Sequence, residues 1–256
     1  PITGMETNLA GGMDEREYAD AILDGCLESG TLGMVGDGAS PQKYLIGLEA
    51  IKKRGGLGIP IFKPREYNLD IIKRFKAAED AGAVAVGIDI DAASFKTMTL
   101  KGQAVGPKTI AELQELKSHL KVPFILKGIM NVESALAAIE AGADAIVVSN
   151  HGGRVMDHMP GTAEVLPGIA NAVGGRVKVL VDGGIREGID ILKMLALGAD
   201  AVMIGRPVCI AAFGAGQEGV SFYLQEKLNE LKKAMILTGC GSIDRIDPSI
   251  IFRKKG

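Results

Sequence analysis

The sequence predicts a parallel α/β fold closed into an eight-unit (β/α)8 (TIM) barrel, and three observations carry that prediction. First, one phrase recurs: a helix ends in a small residue and glycine, and an apolar run follows at once. It appears as Glu28-Ser29-Gly30-Thr31-Leu32-Gly33-Met34-Val35-Gly36 and as Asp80-Ala81-Gly82-Ala83-Val84-Ala85-Val86. It returns as Glu140-Ala141-Gly142-Ala143-Asp144-Ala145-Ile146-Val147-Val148 and as Leu197-Gly198-Ala199-Asp200-Ala201-Val202-Met203-Ile204-Gly205. Glycine there takes the left-handed conformation that stops a helix. Second, the runs have strand length without polar alternation, as strands covered on both faces do. Third, 256 residues match the ~250 typical of one such barrel.

Taken in order, strands are expected near residues 1–4, 32–36, 58–62, 84–90, 123–127, 144–149, 177–182 and 200–204. Amphipathic segments between them include Glu15–Leu27, Leu69–Ala81, Ile110–Leu120, Val132–Ala141 and Ile189–Leu197. Eight units favour a closed barrel over an open doubly wound sheet. Val220–Leu237 reads as a long helix after the last strand, ended by Gly239-Cys240-Gly241. No linker divides the chain, so residues 1–256 are expected to form one domain. Pro1-Ile2-Thr3-Gly4 reads as the end of a strand without initiator methionine or preceding helix. An upstream segment, with part of the first strand, is therefore expected to be missing from this chain.

Composition narrows the function classes. A net charge of −2 with no long basic run gives no electrostatic surface for nucleic acid. No apolar stretch approaches the ~20 residues of a membrane span, and no secretory signal opens the chain. Cys26, Cys209 and Cys240 lie far apart and lack metal-ligand spacing, so no metal is expected and a reducing, cytoplasmic setting is.

Ligands of such barrels bind at the carboxyl ends of the strands, and polar residues collect there: Asp37, Lys63, Asp89 and Asp91, Lys127, Ser149 to Arg154, Asp182 to Arg186, and Gly205-Arg206. After the sixth strand, Ser149-Asn150-His151-Gly152-Gly153-Arg154 sets a base and a guanidinium around two glycines that permit close backbone approach. A neutral imidazole beside a fixed cation suits taking a proton from a substrate whose anionic end the cation holds. By itself the His-x-x-Arg spacing also fits a plain loop with a solvated arginine. Asp182-Gly183-Gly184-Ile185-Arg186 and Gly205-Arg206-Pro207 follow the seventh and eighth strands, where barrels commonly build a phosphate site from backbone N–H groups and cations. Arg186 and Arg206 suit two-pronged grips on phosphate oxygens. Asp182 suits a polyol, or a structural cap. Lys127, on a buried strand, needs a partner or a function, and a cation fixed there stabilises charge developing on a cofactor.

These motifs, in this order, resemble the FMN-dependent α-hydroxy-acid oxidases and dehydrogenases, closely from about Val122 to Ile250. The resemblance implies FMN as cofactor and oxidation of a small (S)-2-hydroxy acid to a 2-oxo acid in a homo-oligomer, a tetramer or larger. It implies His151 as the base, Arg154 on the substrate carboxylate, Lys127 by the flavin's pyrimidine edge and Ser149 along the flavin. Asp182 would hold the ribityl chain, and Gly183, Gly184, Arg186, Gly205 and Arg206 the phosphate, with Thr3 and Asp89 also counted with the cofactor. Asp91 would support the imidazolium of His151, with Asp89 the competing choice on the same strand face.

Upstream of Val122 the pattern departs. Lys63 stands where the family has an active-site tyrosine, and Ile61 where it has a flavin-contacting glutamine. The loop from Ala92 to Lys108 is short and holds lysines but no second carboxylate-binding arginine, which leaves Lys63 as a candidate substrate cation. Two further readings stay open: an FMN barrel with isomerase-like flavin chemistry, and a non-catalytic phosphate-binding barrel.

Overall fold

The computed structural model describes residues 2–5 and 11–252. Seven parallel strands form one sheet in sequence order: β1 (Met34–Gly36), β2 (Ile59–Phe62), β3 (Val86–Asp89), β4 (Phe124–Ile129), β5 (Ala145–Val148), β6 (Lys178–Val181) and β7 (Ala201–Val202). The helices that cover it are α1 (Glu15–Glu28), α2 (Pro41–Lys53), α3 (Asn68–Asp80), a single turn α4 (Lys96–Thr99), α5 (Ile110–Ser118), α6 (Val132–Glu140), α7 (Thr162–Val173), α8 (Gly188–Ala196) and α9 (Arg206–Leu237). Strand after helix in one parallel order is the barrel architecture that the repeats predict. Gly82, Gly142 and Gly198 of the recurring phrase adopt φ of 79°, 83° and 106°, the left-handed helix stop expected of them.

Two expectations need correction. Pro1 lies outside the described residues, and Ile2–Gly4 is not a strand. The backbone N–H groups of Gly4 and Met5 donate to the Glu15 carboxylate at 2.8 and 3.1 Å, so donors that a ladder needs are already spent on a side chain. The segment still lies at the seam. Ile2 and Thr3 line a small cavity with Met34, Val35 and Gly36 of β1, and Met5 is fully buried with Val208, Cys209 and Ala212 of α9. Among the described residues, therefore, the sheet has seven strands, and no ladder joins β1 to β7. The seam is spanned by α1 packed along α9, so closely that a Cβ on Gly25 would lie 2.5 Å from Val220. The last helix also begins earlier than expected, at Arg206, and is broken at Ala215 and Gly216, where φ reaches 57°.

Period-two alternation sorts the sheet's side chains. Phe62, Ile88, Leu126, Ile146 and Val148 pack outward against the helices, with Phe75 and Phe124 ring to ring at 5.8 Å. Ile61, Ile125 and Val147 point inward with Leu180 and Met203. Continuing the inward series by two residues gives Asp89 and Lys127, directly opposite each other in the β3–β4 register. The fold thus carries a charged layer at the strand ends, on top of an apolar plug.

A candidate active site at the strand ends

Every strand-end polar group named from the sequence follows its strand's carboxyl end or lies within the strand's last three residues. Lys127 is 4% exposed at its side chain, and its ammonium lies 3.0 Å from Asp89 Oδ1 and 3.0 Å from Ser149 Oγ. Asp182 Oδ2 is 3.9 Å away. Asp89 Oδ2 accepts from Lys63 Nζ at 2.6 Å. An isolated charge in such a place costs several kcal/mol, and partners of opposite sign make it tolerable. Burial pushes the Asp89 carboxyl up, but the ammoniums of Lys63 and Lys127 outweigh it and hold the group well below the usual carboxylate range. Burial pulls the Lys127 ammonium down, and the charges of Asp89, Asp182 and Asp91 overcome that to raise it.

His151 sits where β5 ends, and its backbone is in the left-handed region at φ 58°, as are Gly152 and Gly153 at 69° and 77°. A non-glycine residue there is uncommon, although histidine tolerates it better than most, and such strain gathers at functional sites. The Ser149 hydroxyl accepts from His151 N at 3.1 Å and helps to fix that turn. The ring's Nδ1 lies 3.0 Å from Asp91 Oδ1 and 3.6 Å from Asp89 Oδ1. Of the two carboxylates left open by the sequence, Asp91 is the closer partner, while Asp89 serves the lysines. With Nδ1–H donated to Asp91, Nε2 keeps the lone pair and can act as a base. Burial, together with the negative charge of Asp89, raises the Asp91 carboxyl against the lowering pull of the His151 hydrogen bond; its Oδ2 is buried without a partner. Asp89, Asp91 and His151 bring one ligand atom each within 4.8 Å of one another, although both Asp89 oxygens are already shared with ammonium groups.

Gly128 makes room for this pair. It forms a bulge at φ 105° between Lys127 and Ile129, and a Cβ there would meet Asp91 at 2.6 Å. Arg154 stays exposed, its guanidinium 5.7 Å from the Phe95 ring. Phe95 sits edge-on to His151 with centroids 4.7 Å apart, and Lys63 Nζ is 4.8 Å from the same ring. Base, guanidinium and ammonium thus surround one aromatic side chain.

Phe95 was not legible in the sequence, nor was the strap that carries it. Arg65, buried after β2, donates through Nη2 to both Asp37 oxygens at 2.9 Å and to the Gly38 carbonyl at 2.7 Å. Its Nη1 reaches Gln103 Oε1 at 2.8 Å. Backbone bonds from Glu66 to Ala104 and from Gly106 to Pro64 complete the attachment. The short loop from 92 to 108 is therefore tied to the end of β2. The signals in the sequence were Asp37 at a strand end and an arginine just after another, of opposite charge.

The expected phosphate end divides. At α8, the Asp190 carboxylate already accepts from the N–H groups of Arg186 and Glu187, and Glu230 accepts from that of Gly188. That helix start is occupied by the protein's own anions, and Arg186 is exposed with its guanidinium on the Ile185 carbonyl. At α9 the Gly205 N-cap has no side-chain cap, and a Cβ on Gly184 or Gly205 would meet nothing within 4 Å. The Arg206 guanidinium lies near Gly152. Gly183 packs against the Thr162 hydroxyl, which donates to the Asp182 carbonyl at 2.6 Å. Asp182 Oδ1 is buried with no hydrogen-bond partner. An open glycine cradle, an uncapped helix start and an orphaned carboxylate oxygen suit a ligand with hydroxyls and an anionic tail. Thr3 donates to the Asp37 carbonyl at 3.4 Å, on the β1 side of this mouth.

A family model described as FMN-dependent dehydrogenase matches residues 91–253. The chain is 34% identical over 224 residues to peroxisomal (S)-2-hydroxyacid oxidase GLO4 of Arabidopsis thaliana, covering 74% of this chain and 61% of that one. It is 41% identical over 205 residues to L-lactate oxidase of Lactobacillus jensenii, covering 77% of this chain and 50% of that one. It therefore spans half to three-fifths of the length of these curated relatives. Among solved structures, mandelate oxidase with benzoyl-formic acid is 34% identical at a TM-score of 0.79, covering 97% of this chain and 75% of that one.

Proposed function

The chain belongs to the FMN-dependent dehydrogenase family, and from that premise we propose that it binds FMN in one barrel domain and oxidises a small (S)-2-hydroxy acid to the 2-oxo acid. FMN fits the residues present: Gly184, Gly205, Arg206 and the uncapped start of α9 for the phosphate, and the unpartnered Asp182 oxygen for the ribityl hydroxyls. Gly183 and Arg186 flank that cradle, with Thr3 across the mouth. Lys127 and Ser149 would lie against the flavin, and Asp89 would act through Lys127. When bound, FMN supplies the two-electron acceptor.

The chain's own part follows from the His151 geometry, which carries the reading. Nδ1 is held by Asp91 at 3.0 Å, so Nε2 accepts the substrate proton and Asp91 steadies the imidazolium that results. A positioned base of this kind is worth ~10²–10⁴ in rate. Arg154 holds the substrate carboxylate, and Lys63 supplies a second cation nearby. Phe95, between them, keeps water from the base.

Anaerobic mixing of the FMN-loaded chain with glycolate, lactate and longer 2-hydroxy acids tests this: the flavin absorbance should bleach with at least one. No bleaching with any of them refutes the oxidation. A second reading, flavin chemistry without net oxidation, is favoured by the Lys63–Asp89 pair; turnover that needs pre-reduced flavin and yields no oxidised product would select it.

Among the described residues no helix is long and apolar enough to cross a membrane. We propose a cytoplasmic homo-oligomer, a tetramer or larger, that acts on a small molecule and on neither nucleic acid nor membrane. The exposed Ile210, Phe222, Ile236 and Leu237 of α9 support association, and light scattering of the purified chain tests it.

A further inference from the structure

Asp89 is a buried carboxylate of the site that neither is the nearest partner of the base nor faces the ribityl end. Its side chain is 3% exposed and bridges two ammoniums, Lys63 at 2.6 Å and Lys127 at 3.0 Å. The three groups sum to one positive charge. Lys127 alone would present a full cation to a bound ring; with a carboxylate hydrogen-bonded to it, the field falls off as that of a dipole. Lys63 then returns the missing charge from the far side of Asp89. The charges interact strongly because this layer lies between an apolar plug and the loops above it, where screening is weak.

We propose that the Lys63–Asp89–Lys127 bridge sets the midpoint potential of the bound flavin, with Asp89 as a counter-charge that lowers it and Lys63 as the cation that offsets Asp89. This rests on the reading that FMN binds beside Lys127. Asp89 is a positioning residue here, acting through Lys127 on the equilibrium between oxidised and reduced cofactor, and Lys63, besides its place near the substrate carboxylate, acts on the same equilibrium through Asp89. Two substitutions on one ion pair therefore move the same quantity in opposite directions. Asp89→Asn removes the carboxylate that bridges both ammoniums, leaves Lys127 with the more distant Asp182 at 3.9 Å, and favours the reduced, anionic ring. Lys63→Met leaves Asp89 and Lys127 as a neutral pair and favours the oxidised ring.

The test is a potentiometric titration of the FMN-loaded chain and both variants, followed by absorbance, with circular dichroism to confirm folding. Relative to wild type, Asp89→Asn should shift the reduced-to-oxidised ratio at fixed potential at least tenfold upward, about 30 mV for a two-electron couple. Lys63→Met should shift it at least tenfold downward. Loss of packing would move both variants the same way or neither, and either result overturns the proposal. If Asp89→Asn does not fold, Lys63→Met alone decides it, since an unchanged or raised potential refutes the offset. A wild-type chain that retains no FMN overturns the underlying reading and this inference with it; FMN retained with equal potentials overturns this inference alone.

Discussion

The buried Asp37–Arg65 pair gives the sharpest prediction about stability. Arg65→Met removes the guanidinium that bonds both Asp37 oxygens, the Gly38 carbonyl and Gln103. The Asp37 side chain is 0% exposed, so it cannot turn to water. What remains to it is the Lys63 N–H at 3.1 Å and Arg74 Nε at 3.8 Å. Breaking a buried pair by deleting one partner costs about 3–5 kcal/mol, because the other charge is stranded. For a chain of this size that is roughly 6–20 °C in melting temperature. Replacing both partners by apolar residues, Asp37→Leu with Arg65→Met, removes the stranded carboxylate and leaves Arg74 its bond to the Asp70 carbonyl, so it should recover part of the loss. Urea unfolding of the wild type, both single variants and the double variant measures the coupling. A single variant within about 1 kcal/mol of wild type, or a double variant no more stable than the worse single, would refute the claim that this pair anchors the strap.

Three more expectations follow from the site. Gly128→Ala pushes a methyl into Asp91 at a φ that L-residues rarely adopt, so turnover should fall with His151 itself untouched, and a high-resolution structure of the variant should show the His151–Asp91 contact lengthened. Asp89 and Asp91 should give opposite pH dependences of stability. The Asp89 carboxyl is lowered, so its contribution is present above the unfolded value of about 3.9 and lost as pH falls through the folded value. Asp91 is raised, so its contribution is present below about 3.9 and lost as pH rises through its folded value. Wild type minus Asp89→Asn should therefore grow, and wild type minus Asp91→Asn shrink, as urea titrations step from pH 3 to pH 8. Finally, Arg206→Met should weaken FMN about 10- to 100-fold, the worth of a charged hydrogen bond, while riboflavin, which lacks the phosphate, should bind both forms alike in fluorescence titrations.

Much of the fold was legible because its signal is local. A glycine that ends a helix and a β-branched run that follows are neighbours in sequence, and the seven observed strands lie within the predicted spans or a residue or two of them. The span at residues 1–4 failed because a strand is defined by its neighbours: Glu15 captured the backbone donors of Gly4 and Met5. The part of the last helix before the break at Ala215 and Gly216 went unread because Gly214, Gly216 and Gly219 interrupt the helical pattern there, so the expected start fell at Val220. In the site, His151, Asp91, Lys127 and Ser149 were identified from strand-end motifs and do converge. The choice between Asp91 and Asp89 was open because residues two apart share a face, and only distances of 3.0 and 3.6 Å separate them. Arg65 and Phe95 carried no local motif, and their partners lie 28 and 56 residues away, at Asp37 and His151.

The seam between β1 and β7 has a consequence for how the molecule loads its ligand. Backbone bonds stitch each neighbouring pair of strands from β1 to β7, but here, among the described residues, Gly25 against Val220, the Ser29 hydroxyl on the Ser221 carbonyl and the buried Met5 form a clasp without a strand ladder. The uncapped start of α9 lies on one side of that clasp, and Asp37 with Thr3 on the other. A phosphate seated at Gly205 is expected to tighten the hoop through Ile204, which packs with Ile2 against the cluster that holds Met5. Amide exchange at Val35 and Val202 should then slow together once the cradle is filled, while Val147, deep in the stitched wall, should hardly respond.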